Sequence, residues 1–195
     1  MAPDLRRMPA RRPDAAIPLR AERVAAYVRA VQQAVDGVSD EQHTAFVRAV
    51  LGAGQIVVAG RGRSGHVASA FARRLGQMGL RAWGLDDTTV PRLVAGDLLI
   101  AVTGSGETPT VLSLLNTARS GGARALVVTR APTQRGLRAD VLIELAVPQG
   151  AGNVFPLGTL FEASALAYLD QVVVDLLAAL GATEKDLGAR HTNLE

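Results

Sequence analysis

One stretch of the sequence concentrates hydroxyl side chains and glycines directly after an apolar run. It extends from Thr103 to Thr108, reads TGSGET, and precedes a segment with helical periodicity. A helix N-terminus needs one hydroxyl as its cap, and this stretch supplies three. Hydroxyl and backbone donors that converge there suit the oxygens of a phosphate monoester, with no metal required. Thr103, Ser105 and Thr108 are therefore predicted to bind phosphate.

A second glycine-rich stretch, Gly60 to Gly65, reads GRGRSG and has the same placement between an apolar run and a helical segment. Its backbone N–H groups and the helix dipole would favour an anion, and Ser64 would add a hydroxyl donor. Arg63 is a candidate electrostatic partner for ligand oxygens. Two simpler interpretations remain open, in which Ser64 only caps the helix and Arg63 forms a surface ion pair. The stretch fits a dinucleotide fingerprint poorly, because the acidic residues at 86 and 87 lie slightly beyond the usual offset.

Glu162 is the candidate general base. It follows the sequence PLGT at 156–159 and opens a long apolar segment. A carboxylate half buried beside apolar residues is suited to proton transfer. The spacing Thr159-x-x-Glu162 also matches a capping box, and an acidic first turn complements the helix dipole. From composition alone, the capping interpretation is favoured.

The three histidines do not form a metal motif. His43 belongs to a predicted surface helix, His66 follows the first glycine-rich stretch, and His191 lies in the C-terminal sequence RHTNLE. Nothing in their spacing is typical of a metal site. A histidine this close to a chain end is usually solvated. We expect neither a metal nor a cofactor.

Composition excludes several other chemistries. The chain of 195 residues is 48% hydrophobic and has no cysteine, which rules out disulfides, thiolate nucleophiles and cysteine-based zinc sites. Lys185 is the single lysine, so a Walker-type phosphate loop lacks its lysine and a Schiff base would have to form in a segment without core character.

The positive charge is confined to the N-terminal part of the chain. Residues 1–23 contain six arginines against three acidic residues, which equals the net charge of +3, and the remainder is neutral. We therefore expect no nucleic-acid partner and a basic, Pro- and Arg-rich leader over 1–19 that is disordered. No secretory signal is apparent, and no apolar run is expected to span a membrane, so the cytoplasm is the predicted compartment.

Apolar periodicity predicts the elements that must position these loops. Two helices, near 20–36 and 40–51, precede five short strands near 56–59, 81–85, 97–102, 123–129 and 141–147, with helices over 64–78 and 108–120. Alternating strands and helices indicate an α/β fold, a three-layer α-β-α sandwich with a five-stranded parallel sheet. Ligands bind such sheets beyond the carboxyl ends of the strands, where both glycine-rich stretches begin. Residues 20–195 are predicted to form one domain.

The segment 159–180 is apolar almost all the way round. Such a helix must be buried on more than one side. In a domain of this size, the additional burial is expected from a second subunit, and the chain is predicted to form a homo-oligomer through this helix.

Taken together, GRGRSG, TGSGET, PLGTLFE and the terminal RHTNLE resemble the sugar isomerase (SIS) family, and within it the 6-phospho-3-hexuloisomerases. The resemblance runs from about residue 20 to the end and includes DDTTVP at 86–91 and GDLLI at 96–100, whereas the two loops alone specify only the superfamily. Thr103 stands where serine is commoner in the family, and the change keeps the hydroxyl.

The resemblance implies a metal-free, cytoplasmic tetramer that interconverts 3-hexulose 6-phosphate and fructose 6-phosphate in the ribulose monophosphate route of formaldehyde assimilation. It implies that Ser64 and the hydroxyls of the second stretch hold the phosphate. Glu162 would move the proton between C2 and C3 through an enediol. His191 would assist ring opening or hydroxyl proton transfer, in its own site or in that of a neighbouring subunit.

Two alternatives remain. The same fold could act on arabinose 5-phosphate or a heptulose phosphate, although the terminal motif argues against it. The chain could also be a non-catalytic sensor that binds a sugar phosphate, although residues 1–19 are too short for a helix-turn-helix module.

Overall fold

The computed structural model describes residues 20–130, 137–148 and 155–193. The predicted leader, 1–19, and the last two residues of the C-terminal motif, Leu194 and Glu195, lie outside the described residues.

The described chain folds into six helices and five strands that follow the predicted order closely. The helices are α1 (Arg20–Asp36), α2 (Asp40–Leu51), α3 (Arg63–Gln77), α4 (Pro109–Ser120), α5 (Thr159–Leu180) and α6 (Glu184–Ala189). The strands are β1 (Ile56–Gly60), β2 (Ala82–Gly84), β3 (Leu98–Thr103), β4 (Arg124–Arg130) and β5 (Val141–Leu145). The short α6 was not predicted. Its capping box, formed by Thr183 and Asp186, is visible in the sequence, but its one buried residue, Leu187, gives no apolar periodicity.

The five strands form one parallel sheet in the order β2-β1-β3-β4-β5, which confirms the predicted α/β fold. The chain reverses direction across the sheet after β2, so β1 and β3 lie side by side although they are not consecutive. Gly60 at the end of β1 is in register with Val102 of β3. Ligand sites in open parallel sheets lie beyond the carboxyl ends of the strands at such a reversal.

The two faces of the sheet are covered unequally. On one face α2, α3 and α5 pack against the strands, and α1 packs against α5. On the other face the sheet is covered by α4 and the segment 85–97, within the part of the chain that the structure describes. Between α4 and this segment lies an open, mainly apolar cleft of about 410 Å³.

Helix α5 corrects one sequence prediction. With 22 residues and a mean hydropathy of 1.6, it is long and apolar enough to cross a membrane. The sequence prediction was that no apolar run would reach this length. Its buried side chains, among them Phe161, Tyr168 and Leu169, pack in the main core. Three large apolar residues of α5 remain exposed, namely Leu166, Val174 and Leu180.

Candidate active site

The first glycine-rich loop packs directly against the end of β1. A Cβ on Gly60 would lie 2.6 Å from the carbonyl oxygen of Ser64 and 2.8 Å from the amide nitrogen of Gly65. These are backbone atoms that cannot rotate away, so glycine is required at position 60. Its absent side chain lets the first turn of α3 begin immediately beyond the strand, with its N-terminus at the carboxyl edge of the sheet.

The N-terminus of α3 has no side-chain cap. Its N-cap is Gly62, at φ +57°, a left-handed conformation that favours glycine. Ser64 is the second residue of the helix, so the interpretation of Ser64 as the cap is wrong. The first N–H groups of a helix have no intrahelical acceptor, and with no capping side chain they suit an anion. Ser64, half-buried, lies where its hydroxyl can add to them.

The hydroxyls of the second loop lie close together. Thr103, buried at the end of β3, has its Oγ1 3.3 Å from the Oγ1 of Thr108. Ser105 Oγ is 3.5 Å from the same Thr108 oxygen and accepts the N–H of Glu107 at 3.2 Å. Thr108 is the N-cap residue of α4, but its side chain makes no capping hydrogen bond. Capping alone therefore does not account for the three hydroxyls.

The second loop also contacts the first turn of α5. A Cβ on Gly104 would lie 3.0 Å from Cδ1 of Phe161, so the loop backbone runs close over that ring. Phe161 is buried and directly precedes Glu162. The ring therefore fixes the hydroxyl cluster and the candidate base relative to each other.

Glu162 does not cap its helix. The N-cap of α5 is Gly158, and the hydroxyl of Thr159 donates to the carbonyl oxygen of Pro156 at 2.7 Å. The favoured capping-box interpretation is therefore wrong. The carboxylate of Glu162 instead accepts a hydrogen bond from Nε of Arg63 at 2.5 Å. The side chain of Glu162 is 13% exposed and that of Arg63 is 69% exposed, so the base candidate lies within the site and the guanidinium faces solvent.

Gly158 is a residue that the sequence analysis missed. A Cβ at this position would lie 2.9 Å from Oε1 of Glu162. The glycine therefore leaves the space that the carboxylate occupies. The preceding residue, Leu157, has φ +52°, which costs a non-glycine residue roughly 1–2 kcal/mol. The sequence signal was a glycine placed four residues before an acidic residue in the first turn of a helix.

A cleft of about 500 Å³ extends from Arg63 and Glu162 along the groove between α1, α3 and α5. Its walls include Tyr27 and Leu166. No three His, Cys, Asp or Glu side chains among the described residues are placed to hold a metal ion. The cleft is lined by two carboxylates, those of Glu162 and Asp170, together with the guanidinium of Arg63 and the imidazole of His66, and the hydroxyls of the second loop lie outside its walls.

The structure does not bring His191 to Glu162 within one protomer. His191 follows α6, where Nη1 of Arg190 donates to the carbonyl oxygen of Gln77 at 3.4 Å. Gln77 ends α3, whereas Arg63, which contacts Glu162, begins it. At 1.5 Å per residue these two ends are about 21 Å apart. The candidate catalytic pair is therefore divided between opposite ends of the domain.

Comparison with known proteins gives consistent results. Residues 50–160 match the SIS domain family. The 3-hexulose-6-phosphate isomerase of Methylomonas aminofaciens is 36% identical over 73% of this chain and 82% of its own length. That of Bacillus subtilis is 32% identical over 89% of this chain and 98% of its own. A crystal structure from Methanococcus jannaschii, for which the same function was inferred, has a TM-score of 0.78 at 28% identity and covers 90% of this chain and 98% of its own.

Proposed function

This chain belongs to the SIS domain family, and from that membership we propose that it is a sugar-phosphate isomerase that interconverts 3-hexulose 6-phosphate and fructose 6-phosphate. The resemblance drawn from its motifs is thereby confirmed at the level of the family. Relatives named 3-hexulose-6-phosphate isomerase, at 32–36% identity, support the choice of substrate. The ribulose monophosphate route and a cytoplasmic location follow as parts of the same proposal.

One observation carries the proposal, namely the position of Glu162. Its carboxylate is largely buried, is not used as a helix cap, is bonded to Arg63 of the first loop, and follows directly after Phe161, which contacts Gly104 of the second loop. Isomerisation of a ketose phosphate needs this combination of an anchored phosphate and one positioned base. Phosphate binding, remote from the reacting carbons, would fix the orientation of the sugar.

The reaction is written as one proton moved between adjacent carbons. Glu162 takes the proton from C2 of the 3-hexulose, and the C2–H electron pair forms the C2–C3 double bond as the C3 carbonyl oxygen gains a proton. The resulting 2,3-enediol is reprotonated at C3 by the same carboxyl group, while O2 loses its proton and becomes the carbonyl. A positioned base of this kind typically contributes roughly 10²–10⁴-fold to the rate.

A second copy of the chain would complete the site. Val24 and Val28 on α1, and Leu166 and Val174 on α5, are exposed apolar residues on two helices that border the cleft, and Leu166 lines it. If two copies of α5 pack antiparallel about a two-fold axis, the end that leads to His191 lies against the partner's first turn. We therefore propose a homo-oligomer, a tetramer by resemblance, in which His191 serves the site of a neighbouring subunit.

Replacing Gly158 by Ala is expected to lower kcat by about 10- to 100-fold, because the added Cβ displaces the carboxylate of Glu162 and small misplacements of a reacting group are costly. The backbone at 158, with φ −86°, accommodates alanine. The matched control is Gly76→Ala in α3, where a Cβ meets nothing within 4 Å. Steady-state kinetics and melting curves of both variants test this, and an unchanged kcat in the Gly158 variant would remove the positioning role.

The proposed function is tested by assaying the purified protein with 3-hexulose 6-phosphate, arabinose 5-phosphate and a heptulose phosphate. Conversion of the hexulose phosphate with the highest kcat/KM is expected. Conversion of another sugar phosphate alone would reassign the substrate. If no substrate reacts but fructose 6-phosphate raises the melting temperature, the protein is a sensor. Ligand at about 100 times its Kd stabilises a protein by roughly 2.7 kcal/mol, which a melting curve resolves.

A further inference from the structure

We propose that Arg63 acts as a substrate-released latch on Glu162: in the empty site its guanidinium holds the carboxylate, and an arriving phosphate draws it away and frees the base. The inference rests on the proposed function, because it takes Glu162 as the base and a phosphorylated sugar as the substrate. It goes further because Arg63, in addition to binding phosphate oxygens, controls when Glu162 is free to accept a proton.

The geometry of the pair supports a latch over a fixed structural ion pair. Arg63 is held at one nitrogen, Nε, by Oε2 of Glu162 at 2.5 Å. Within the described part of the chain, this is the hydrogen bond that the Arg63 side chain makes. Its side chain is 69% exposed, so the remaining N–H groups of the guanidinium face solvent. A guanidinium has five N–H donors in a planar fork that matches phosphate oxygens, so it can meet a phosphate before it leaves the carboxylate.

The Arg63 side chain begins close to the predicted phosphate site, so a bound phosphate lies within its reach. Arg63 is the first residue of α3, directly after the N-cap Gly62, which makes no side-chain capping bond. A phosphate bound at the first N–H groups of α3 would therefore lie beside the backbone of Arg63. Rotation of the side chain is sufficient to move the guanidinium from the carboxylate to the phosphate, with no movement of the helix.

Release of Glu162 from Arg63 is expected to increase the reaction rate. A carboxylate that accepts a charge-assisted hydrogen bond loses that stabilisation when it takes a proton, so it is a poorer base than a free carboxylate in the same place. The hydrogen bond and the charge of Glu162 also raise the pKa of Arg63 above its ordinary value, so the guanidinium stays protonated. A phosphate dianion offers this cation more negative charge than one carboxylate does. Binding of the correct substrate would thus activate the base, and sugars without phosphate would meet a base that is still held.

The latch predicts opposite effects of Arg63→Gln on two substrates. The variant should convert unphosphorylated fructose faster than the wild type, by at least about fivefold, the lower end of typical coupling between two sites. It should convert the hexulose phosphate more slowly. Added phosphite dianion should stimulate the wild type on unphosphorylated fructose and have no effect on the variant. Parallel losses on both substrates would overturn the latch and leave Arg63 as a phosphate ligand only.

A matched charge control is available in the same loop. Arg61 lies two residues earlier and pairs with Asp86 at 3.7 Å, away from Glu162. Arg61→Gln removes the same charge and should leave the ratio of the two rates close to that of the wild type. Arg63→Lys keeps the charge without the fork and should restore part of the phosphite response. If Arg61→Gln reproduces the crossover of Arg63→Gln, the effect is one of net charge and the latch is wrong.

A measurement without turnover separates failure of the latch from failure of the proposed function. The Nε–H of Arg63 should give a resolved 15N–1H resonance in the empty protein, assigned by its absence from Arg63→Lys. Titration with fructose 6-phosphate should shift this resonance strongly as the bond to Glu162 breaks. An unchanged resonance at saturation would overturn the latch, even if the isomerase activity is found. A lack of isomerase activity together with the shift would overturn only the reaction.

Discussion

Glu162→Gln is expected to lower kcat for the hexulose phosphate by about 10²- to 10⁴-fold, the range over which a positioned base contributes. The amide cannot take a proton from carbon, but it keeps the shape of the side chain, and its oxygen can still accept the Nε–H of Arg63. We therefore expect KM to change much less than kcat. Steady-state kinetics in both directions of the reaction test this, since the same group serves both.

The matched control for Glu162→Gln is Glu41→Gln. Glu41 is an exposed acidic residue in the first turn of α2, so its change removes the same charge from the same part of a helix. Glu41→Gln should lose about 0.3–1 kcal/mol of helix-dipole stabilisation, and melting curves of both variants show whether Glu162→Gln remains folded. A Glu162→Gln enzyme that retains full activity would mean that another group is the base.

Mixed oligomers of Glu162→Gln and His191→Ala are expected to regain activity that neither variant has alone. If each site takes Glu162 from one chain and His191 from another, random pairing of equal amounts gives an intact pair in roughly a quarter of the sites. The physical reason is the length of α3, whose two ends, one bonded to Glu162 and the other to Arg190, lie about 21 Å apart within one chain. The measurement is the specific activity after joint refolding or co-expression.

The control for this experiment uses two changes that belong to the site of one chain. Glu162→Gln mixed with Ser105→Asp should recover nothing, because the added carboxylate repels phosphate from the same loops that serve the intact Glu162. Native mass spectrometry would verify that mixed oligomers form. Mixed oligomers of Glu162→Gln and His191→Ala without activity would refute the shared site.

Much of the fold could be predicted from the sequence because apolar runs are separated by glycines and polar loops. The strands β1, β3 and β4 each contain a continuous run of buried, mainly apolar residues, as buried parallel strands do, and their bounds were predicted to within one residue. The two loops were found for the same reason, since each follows such a run. The helix α6 was missed because it buries one residue and is recognisable only by its cap.

The role of Glu162 could not be predicted from the sequence, because the spacing Thr159-x-x-Glu162 fits two structures. In a capping box Thr159 would precede the helix, but α5 begins at Thr159 itself, with Gly158 as its N-cap. That shift of one residue depends on the left-handed backbone at Leu157, which no composition rule predicts for leucine. The position of His191 depends on how α6 packs against the end of α3, a tertiary contact that leaves no local pattern.

The two faces of the sheet are covered unequally and are therefore expected to differ in how easily they open. Amide hydrogens exchange fastest where few apolar contacts must be broken to open the structure. The face covered by α4 and the segment 85–97 is the thinner one, and it contains an apolar cleft. Because Thr108 is the N-cap residue of α4 and the other two hydroxyls lie beside it, the hydroxyls of the second loop belong to the half of the molecule that opens more easily. A bound phosphate would therefore stabilise that half most. Binding would reduce local fluctuations across the sheet and slow amide hydrogen exchange there.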